Sequence, residues 1–229
     1  MMSKAPVIAI DGPSGSGKGA VAKHIADTLG FALLDSGALY RVLGIAVLRH
    51  GIALHDHGAI AELARDLDVE FGLSGADSVA LEGDDVTLAI RTDEGSDMAS
   101  RVGAIPAARA GLLERQLAFR QPPGLVADGR DMGTVVFPDA AVKIFLTASV
   151  EERAKRRYKQ LIGKGIGAIL PDLLRDLKER DERDSLRAIS PLKPAEDAIV
   201  LDTTDLDLAQ VVARVLEMAV VRLHKQGNN

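Results

Sequence analysis

Short apolar runs alternate with segments of helical periodicity along most of the chain. Five of these runs have the character of buried strands, and they occupy residues 7–10, 31–34, 125–127, 142–146 and 198–201. The segment after the first run carries apolar residues at helical spacing, and Gly30 is placed to end that helix. Strands that alternate with helices are typical of a parallel sheet. The pattern therefore predicts an α/β fold, a five-stranded parallel sheet with helices on both faces.

Residues 50–102 interrupt this alternation. Their pattern predicts a helix over 60–67, strands over 69–73 and 78–82 joined by a turn at 74–77, and a further strand within 84–91. We expect a small α+β insertion packed on the core rather than an independent domain. Three histidines near its start have a spacing that allows a metal site, but no carboxylates at helical spacing accompany them, so a solvated loop is favoured. They are His50, His55 and His57.

The second half of the chain is rich in charged helices. A helix predicted over 104–120 has Pro106 in its first turn and stops at the Gln-Pro-Pro-Gly sequence that follows. Charged helices over 149–161 and 171–187 flank a segment with three glycines. Such a hinged pair suits a lid that closes over phosphates, although basic helices are more often solvated surfaces.

A last helix is predicted with Thr204 as its cap and an apolar side facing the core. That side comprises Leu208, Val211, Val212, Val215, Met218 and Ala219. We expect a single domain over 1–229, with a core of about 1–49, 103–148 and 188–229, an insertion of about 50–102 and a lid of about 149–187.

The stretch Gly12-Pro13-Ser14-Gly15-Ser16-Gly17-Lys18 joins the first strand to the first helix. Glycine, four residues, glycine and lysine in this setting form a phosphate-binding loop, because small residues let backbone N–H groups converge on an anion and the lysine adds a cation. A plain tight turn is the alternative, and the lysine and both flanking elements argue against it. Gly19 stands where many nucleotide-hydrolysing proteins have the Ser or Thr that touches magnesium. This favours a small phosphotransferase that holds its metal mainly through water and phosphate oxygens.

Composition narrows the range of partners. Of the 229 residues 47% are hydrophobic and none is cysteine, which fits one sizeable core in a reducing compartment. No stretch is long enough to cross a membrane and the first strand begins at once, so we expect a cytoplasmic protein without a secretory signal. We also expect a monomer. A net charge of −5 and an aromatic content of 3% oppose binding of a nucleic-acid polymer. Arginines clustered in the second half instead favour small anions in a pocket.

Polar residues follow two of the predicted strands. Ser36 and Arg41 come after the second strand, whose carboxyl end should lie beside the phosphate loop, but a helix cap and a solvated arginine explain them equally well. Asp128 ends the third strand, which is the usual arrangement for holding a magnesium-bound water, and a polar turn is the weaker alternative.

Four residues near the end of the second charged helix are spaced to share one helix face. That face is either a phosphate clamp or a salt-bridged surface. It comprises Arg180, Arg183, Asp184 and Arg187.

Four stretches closely resemble the bacterial-type cytidylate kinases, and they occur in that family's order across nearly the whole chain. They are IDGPSGSGKG at 10–19, LDSGALYR at 34–41, DGRDMGTVVFP at 128–138 and KERD at 178–181. The third is specific to the family, whereas the first fits many kinases. The resemblance implies a P-loop kinase fold with strand order 2-3-1-4-5 and a nucleotide-monophosphate-binding region in the insertion. It also implies transfer of the γ-phosphate of ATP to CMP or dCMP with Mg²⁺.

The resemblance further implies roles for the matched residues. The ATP site comprises Gly12, Pro13, Ser14, Gly15, Ser16, Gly17, Lys18, Gly19 and Ala20, with Arg153 and Arg157 from the lid. Cytosine is read by Ser100, Arg109 and Asp131. The acceptor phosphate is held by Arg41, Arg130 and Arg180 with Ser36 nearby, while Asp184 contacts the ribose and Arg187 approaches the phosphates on closure. The catalytic set is Lys18, Arg130, Arg180 and Arg187, and Asp128 is the candidate for magnesium through water.

The chain departs from the family at Ala20, where threonine is usual. The missing hydroxyl removes one contact to an ATP phosphate, while the backbone N–H remains. We expect ATP binding to be weaker by about 1 kcal/mol rather than lost. Two alternatives stay open: a kinase for UMP or another small acceptor, and a nucleotide-binding regulator that transfers nothing.

Overall fold

A computed structural model describes residues 4–72, 78–163 and 165–227 of the chain, with side chains to residue 223. The turn expected at 74–77 lies outside the described residues. The chain forms two compact units: the first combines residues up to Asp35 with those from Ala118 onward, and the second is Ser36–Leu117. The proposed division into core, insertion and lid stays a prediction.

The strands and helices alternate much as the sequence pattern indicates. The strands are β1 (Val7–Asp11), β2 (Ala32–Asp35), β3 (Val69–Phe71), β4 (Val79–Leu81), β5 (Asp84–Asp85), β6 (Leu125–Gly129), β7 (Val142–Thr147) and β8 (Ile199–Asp202). The helices are α1 (Lys18–Leu29), α2 (Ser36–Arg49), α3 (His57–Arg65), α4 (Asp93–Val102), α5 (Pro106–Ala118), α6 (Val150–Ile162), α7 (Leu170–Ser185) and α8 (Leu208–Gly227). A 3₁₀ turn occupies Ala89–Arg91 and a π-helical turn occupies Met132–Val136.

The first unit is built on a five-stranded sheet in the order β2-β6-β1-β7-β8, with every neighbouring pair parallel. Counted among these five strands in chain order, this is the order 2-3-1-4-5, which confirms the predicted α/β fold. All five residues of β1 are buried at the centre of the sheet. Since ligands of open α/β sheets bind beyond the carboxyl ends of the strands, the loop after β1 starts at the middle of the binding edge.

The hydrophobic core of the first unit lies between this sheet and two helices. Ile25 of α1 and Val215 of α8 are fully buried with Ile144 of β7. Fully burying one such side chain contributes roughly 1.5–3 kcal/mol. The core therefore fixes α1, and with it the residues at the start of that helix.

The second unit contains α2 to α5 and a three-stranded antiparallel sheet in the order β3-β4-β5. Arg115 of α5 donates to the carbonyl of Leu67 at 2.6 Å. The Nε2 atom of His50 lies 2.6 Å from Glu82 Oε1. Among the described residues, no group of three or more His, Cys, Asp or Glu side chains is placed to hold a metal ion.

The prediction of a strand within 84–91 is wrong beyond the first two residues. Only Asp84–Asp85 pairs with β4, and the chain then turns into the 3₁₀ segment that buries Ile90. Helix α4 follows, and the sequence pattern did not indicate it. Thr92 caps it by accepting from the N–H of Gly95 at 3.0 Å, and two acidic residues occupy its first turn. Both features favour a helix start over a strand.

The predicted cap of the last helix is also wrong. Thr204 accepts from the N–H of Ser149 and donates to Asp202, so it belongs to the turn before α8. The cap is Asp207, whose carboxylate accepts from the N–H of Gln210 at 2.8 Å. Gln210 Oε1 accepts in return from the N–H of Asp207 at 3.0 Å. This reciprocal pair is a capping box.

The apolar side of α8 is confirmed in its middle but not at its start. Val211, Val215 and Ala219 are buried, whereas Leu208 is exposed. None of the helices within the described residues combines the length and the apolar character needed to span a membrane.

Replacing Asp207 with alanine should lower the free energy of unfolding by about 1 kcal/mol, because the first turn of α8 loses its side-chain acceptor. Urea denaturation followed by circular dichroism measures this change. Asp205→Ala is the matched control, since Asp205 is exposed in the same turn and should change stability by less than about 0.5 kcal/mol. Equal losses in both variants would contradict the cap.

Candidate functional site

The loop from Gly12 to Gly17 leaves the centre of the sheet and leads into α1. At Gly12 the backbone has φ +150°, and a Cβ atom there would lie 2.0 Å from the carbonyl oxygen of Leu146. Only glycine fits this close approach of the loop to β7. Gly17 precedes the helix with φ +92° and brings the first N–H groups of α1 to the loop. The predicted strand, loop and helix are all present.

Lys18 is buried at the start of α1 and curls back over the loop. Its Nζ atom donates to the carbonyl of Pro13 at 2.8 Å. Burial, and then the nearby charges of Arg130 and Arg180, lower its pKa from 10.5 to about 7, while Asp128 and Asp11 act in the opposite direction. The loop lysine therefore lies within electrostatic reach of two arginines from distant parts of the chain.

Asp184 joins three of the predicted phosphate-binding arginines. Its carboxylate is 1% exposed and accepts from Arg130 Nε at 3.2 Å and Arg187 Nη2 at 2.5 Å. Arg180 Nε lies 4.0 Å from the same carboxylate. A buried carboxylate among several guanidinium groups keeps those cations together where water does not solvate them.

The prediction of one shared helix face is only partly correct. Helix α7 ends at Ser185, so Arg187 lies beyond it. Arg187 still reaches Asp184, because the contact runs across the helix end. The other three residues, Arg180, Arg183 and Asp184, lie on the helix.

Arg153 is buried on α6 and touches the loop itself. It donates to the carbonyl of Ser14 at 2.9 Å and to that of Ala148 at 3.0 Å. It also forms a two-pronged ion pair with Asp181 of α7. Arg157, one turn further along α6, donates to Gln160 at 3.2 Å. Asp181 ends the KERD stretch at 178–181, but no role in the site was predicted for it from the sequence.

Asp128 is buried at the end of β6, close to the start of α1. A Cβ atom on Gly19 would lie 3.3 Å from its Oδ2 atom. The carboxylate thus occupies the space beside position 19 where other phosphate-loop proteins place a hydroxyl. An oxygen ligand beside the loop lysine fits magnesium chemistry, with phosphates as the remaining ligands.

Asp11, the last residue of β1, is a site residue that sequence reasoning missed. It accepts from the N–H of Met132 at 2.9 Å and from that of Gly133 at 2.8 Å. Burial raises its pKa to about 7, although both hydrogen bonds and Lys18 favour the ionised form. The sequence feature that could have identified Asp11 is its position, an acid at the carboxyl end of a strand directly before the phosphate loop. Asp131, beside that turn, is itself buried.

Two small residues of the loop bear on anion binding. Ser16 is buried, and its Oγ atom has no hydrogen-bond partner among the described residues. A buried hydroxyl of this kind fits a phosphate oxygen. Ala20 is exposed in the first turn of α1, and its carbonyl accepts from His24 at 2.8 Å.

Four predicted site residues belong to the second unit. Ser36 is buried at the first position of α2, and Arg41 follows it on the same helix. Ser100 is buried on α4. Arg109 of α5 stacks over the ring of Tyr40 at 5.5 Å and donates to the carbonyl of Gly103 at 3.2 Å. Their roles in binding stay predictions.

Replacing Lys18 with methionine should stabilise the protein in the absence of ligands, because a desolvated cation beside two arginines is removed. A group whose pKa falls on folding weakens the fold most at or below its folded pKa, near 7 here, and least above its unfolded value of 10.5. The melting temperature should therefore rise by about 3 °C at neutral pH, and by less near pH 9.5.

Thermal denaturation followed by circular dichroism at both pH values measures this effect. The control is Lys23→Met, because Lys23 lies on the same helix with an exposed side chain paired to Asp27 at 3.6 Å. A melting temperature that falls at neutral pH, or rises equally at both, would contradict the electrostatic account.

Comparisons with known proteins show the family of this chain. The sequence model of the cytidylate kinase family matches residues 8–220. A cytidylate kinase of Pseudomonas fluorescens is 56% identical over 97% of this chain and 98% of its own length. Those of Stutzerimonas stutzeri and Aeromonas salmonicida are 57% and 54% identical, over 94% and 97% of this chain and 96% and 97% of theirs. The chain belongs to the cytidylate kinase family.

Proposed function

We propose that this protein transfers the γ-phosphate of ATP to CMP or dCMP, giving ADP and CDP or dCDP by direct in-line transfer. The observation that carries the proposal is the buried loop lysine, Lys18, lying in the electrostatic field of Arg130 and Arg180. One cation on a phosphate loop suits a single nucleotide. Further arginines at the same place suit a second phosphorylated molecule.

The donor binds at the phosphate loop in this proposal. The residues from Gly12 to Ala20 surround the β- and γ-phosphates with their backbone N–H groups, except for Pro13, which has none, and Ser16 supplies a hydroxyl. Arg157 comes from the lid to the phosphates. Arg153 has a double role, because its contact with Ser14 already shapes the loop.

The acceptor phosphate binds to the arginines around Asp184. Arg130 and Arg180 are the clamp, Arg187 joins it on closure, and Asp184 contacts the ribose. Support comes from the carboxylate of Asp184, which lies within 4.0 Å of all three arginine side chains. The proposal also assigns Arg41 and Ser36 to binding of the acceptor phosphate.

The base is read by Asp131 with Ser100 and Arg109. Cytosine presents an amino donor at N4, which a carboxylate accepts, whereas uracil presents an acceptor oxygen at the same place. A buried carboxylate facing that oxygen would be unpaired and repelled, so the site rejects UMP. Asp131 is 2% exposed, which makes an unpaired charge there costly.

The reaction needs no general base, because the second pKa of a phosphate monoester is about 6 and the acceptor attacks as a dianion near neutral pH. The protein's own contribution is alignment of two polyanions and neutralisation of their charge by Lys18 and the arginines. Closure of the lid keeps water from taking the phosphoryl group. A bound Mg²⁺, held by Asp128 through water, would further neutralise the phosphate oxygens of ATP.

We extend the proposal to the setting in which the protein acts: as a monomer, in the cytoplasm, on free nucleotides rather than on a nucleic-acid polymer. The net charge of −5 supports the last point, because nucleic-acid backbones are bound by basic surfaces.

Coupled ADP release with CMP, dCMP, UMP and AMP as parallel acceptors tests the proposed reaction. CMP and dCMP should be phosphorylated fastest, and Lys18→Met should be inactive with all four. Asp131→Asn should reduce the preference for CMP over UMP by at least about tenfold, because an amide tolerates the uracil oxygen. Preferential use of UMP or AMP would contradict the assigned acceptor. Absence of turnover with every acceptor would favour a nucleotide-binding regulator.

Ala20→Thr tests the donor site. The added hydroxyl should lower the KM for ATP by about fivefold, equivalent to about 1 kcal/mol, without changing the KM for CMP. Steady-state kinetics with each substrate varied in turn separates the two values. Ala209→Thr is the control, since Ala209 is exposed on α8. An unchanged KM for ATP would remove position 20 from the donor site.

A further inference from the structure

Asp11 connects the phosphate loop to the segment that carries the proposed base-reading residue. It is the last residue of the central strand and is followed at once by Gly12. Its two carboxylate oxygens accept from the N–H groups of Met132 and Gly133, which lie 121 and 122 positions further along the chain. These N–H groups begin the turn that follows Asp131.

Asp131 occupies the capping position of that turn but does not cap it with its side chain. An aspartate in this position commonly satisfies the first N–H groups of its own helix. Here Asp11 satisfies them from another strand. The backbone carbonyl of Asp131 still accepts from Val135 and Val136 at 2.9 and 3.2 Å, so its main chain is fixed while its carboxylate is not used for capping.

The turn is held from a second side as well. A Cβ atom on Gly133 would lie 3.2 Å from the side chain of Lys143 and 3.4 Å from Asp11 Oδ2. Lys143 is anchored in turn by Asp197 at 2.9 Å. Because residue 133 is glycine, the turn fits between the Asp11 carboxylate on β1 and the aliphatic part of Lys143 on β7. Little room is left for the turn to shift.

The backbone of Asp11 has equally little freedom. It pairs with Gly129 of β6 and Phe145 of β7. A rigid acceptor in the middle of the sheet thus sets where the turn begins, and the residue just before the turn is Asp131.

We propose that Asp11 is a positioning residue for acceptor specificity, which caps the Met132–Val136 turn from the neighbouring strand and so holds the Asp131 carboxylate in place to read the base. This inference rests on the proposed role of Asp131 in recognising cytosine. It makes the strand that carries the donor loop also responsible for selecting the acceptor.

Asp11→Asn tests the inference, because asparagine has the same shape but offers one acceptor oxygen where two N–H groups converge. The ratio of kcat/KM for CMP to that for UMP should fall by about tenfold. The KM for ATP should change by less than the acceptor ratio does, since the backbone of the loop is unaltered and Asp11 acts on the pKa of Lys18 less than Arg130, Asp128 and Arg180 do. A purely structural role would lower stability and kcat without altering the acceptor ratio. Asp139→Asn, an exposed aspartate paired with Arg120, is the matched control and should retain the wild-type ratio.

A double-mutant cycle with Asp131→Asn determines whether Asp11 acts through Asp131. In the Asp131→Asn background, Asp11→Asn should lower the CMP to UMP ratio no further. Independent, additive losses would overturn the inference. The inference would also be overturned if Asp131→Asn loses the preference for CMP while Asp11→Asn folds and keeps the wild-type ratio of CMP to UMP. If Asp131→Asn itself keeps the preference, the proposed base recognition fails and the inference fails with it.

Gly133→Ala provides a second route if Asp11→Asn does not fold. Its methyl group would lie 3.2 Å from the Lys143 side chain and 3.4 Å from Asp11 Oδ2, so the turn is crowded on the Lys143 side without the removal of a charge. The acceptor ratio should again fall by several-fold while the KM for ATP is maintained. An unaltered acceptor ratio in this variant would overturn the inference.

Discussion

Lys18, Arg130 and Arg180 hold positive charge where little water reaches it, and like charges so placed repel one another. The first unit tolerates this because carboxylates are interleaved with the cations. Asp184 lies among the arginines, and Asp128 and Asp11 oppose the loss of charge on Lys18. These carboxylates do not fully offset burial and the neighbouring arginines, since the pKa of Lys18 still falls to about 7. A bound polyphosphate would supply the missing negative charge. The same excess of positive charge would therefore favour anion binding and lower the stability of the fold without an anion.

Helix α7 carries aspartates that bind arginines of both the proposed donor site and the proposed acceptor site. Asp181 holds Arg153, which in turn donates to the phosphate loop at Ser14. Asp184, almost one turn later, holds Arg130. A displacement of α7 would therefore alter the support of the donor loop and the arrangement of the acceptor arginines together. Such coupling would suit the lid role that the sequence predicts for this helix, in which closure brings both substrates into line.

The sequence was sufficient for the features that depend on local pattern. Alternating strands and helices predicted the parallel sheet, the glycine spacing predicted the loop, and Gly30 ends α1 as expected. The motif order implied the sheet order, since the family resemblance extends over nearly the whole chain. The sheet, the loop and the end of α1 each have a signal within a few consecutive residues, whereas the sheet order was implied by the resemblance alone.

Features that depend on contacts between distant residues were missed. Asp11 and the turn it caps are more than 120 positions apart, and Asp181 meets Arg153 across 28 positions. No local pattern records which acid reaches which partner. Helix α4 was missed for a different reason: its polar residues hide the apolar spacing, and its start is marked by the cap at Thr92 and the two acidic residues that follow. The cap of α8 was misplaced because Thr204 and Asp207 both suit that role, and tertiary contacts decide between them.

The close approach of Asp128 to Gly19 has a consequence for how this loop would hold a metal ion. A Cβ atom at position 19 would lie 3.3 Å from the carboxylate, so the hydroxyl of a serine there would fall within hydrogen-bond reach of it. Where a phosphate loop has such a hydroxyl, that oxygen and an aspartate bind the magnesium ion together. Glycine at position 19 leaves the Asp128 carboxylate as the protein oxygen beside the loop, and the remaining ligands of a bound ion would then be water and phosphate oxygens.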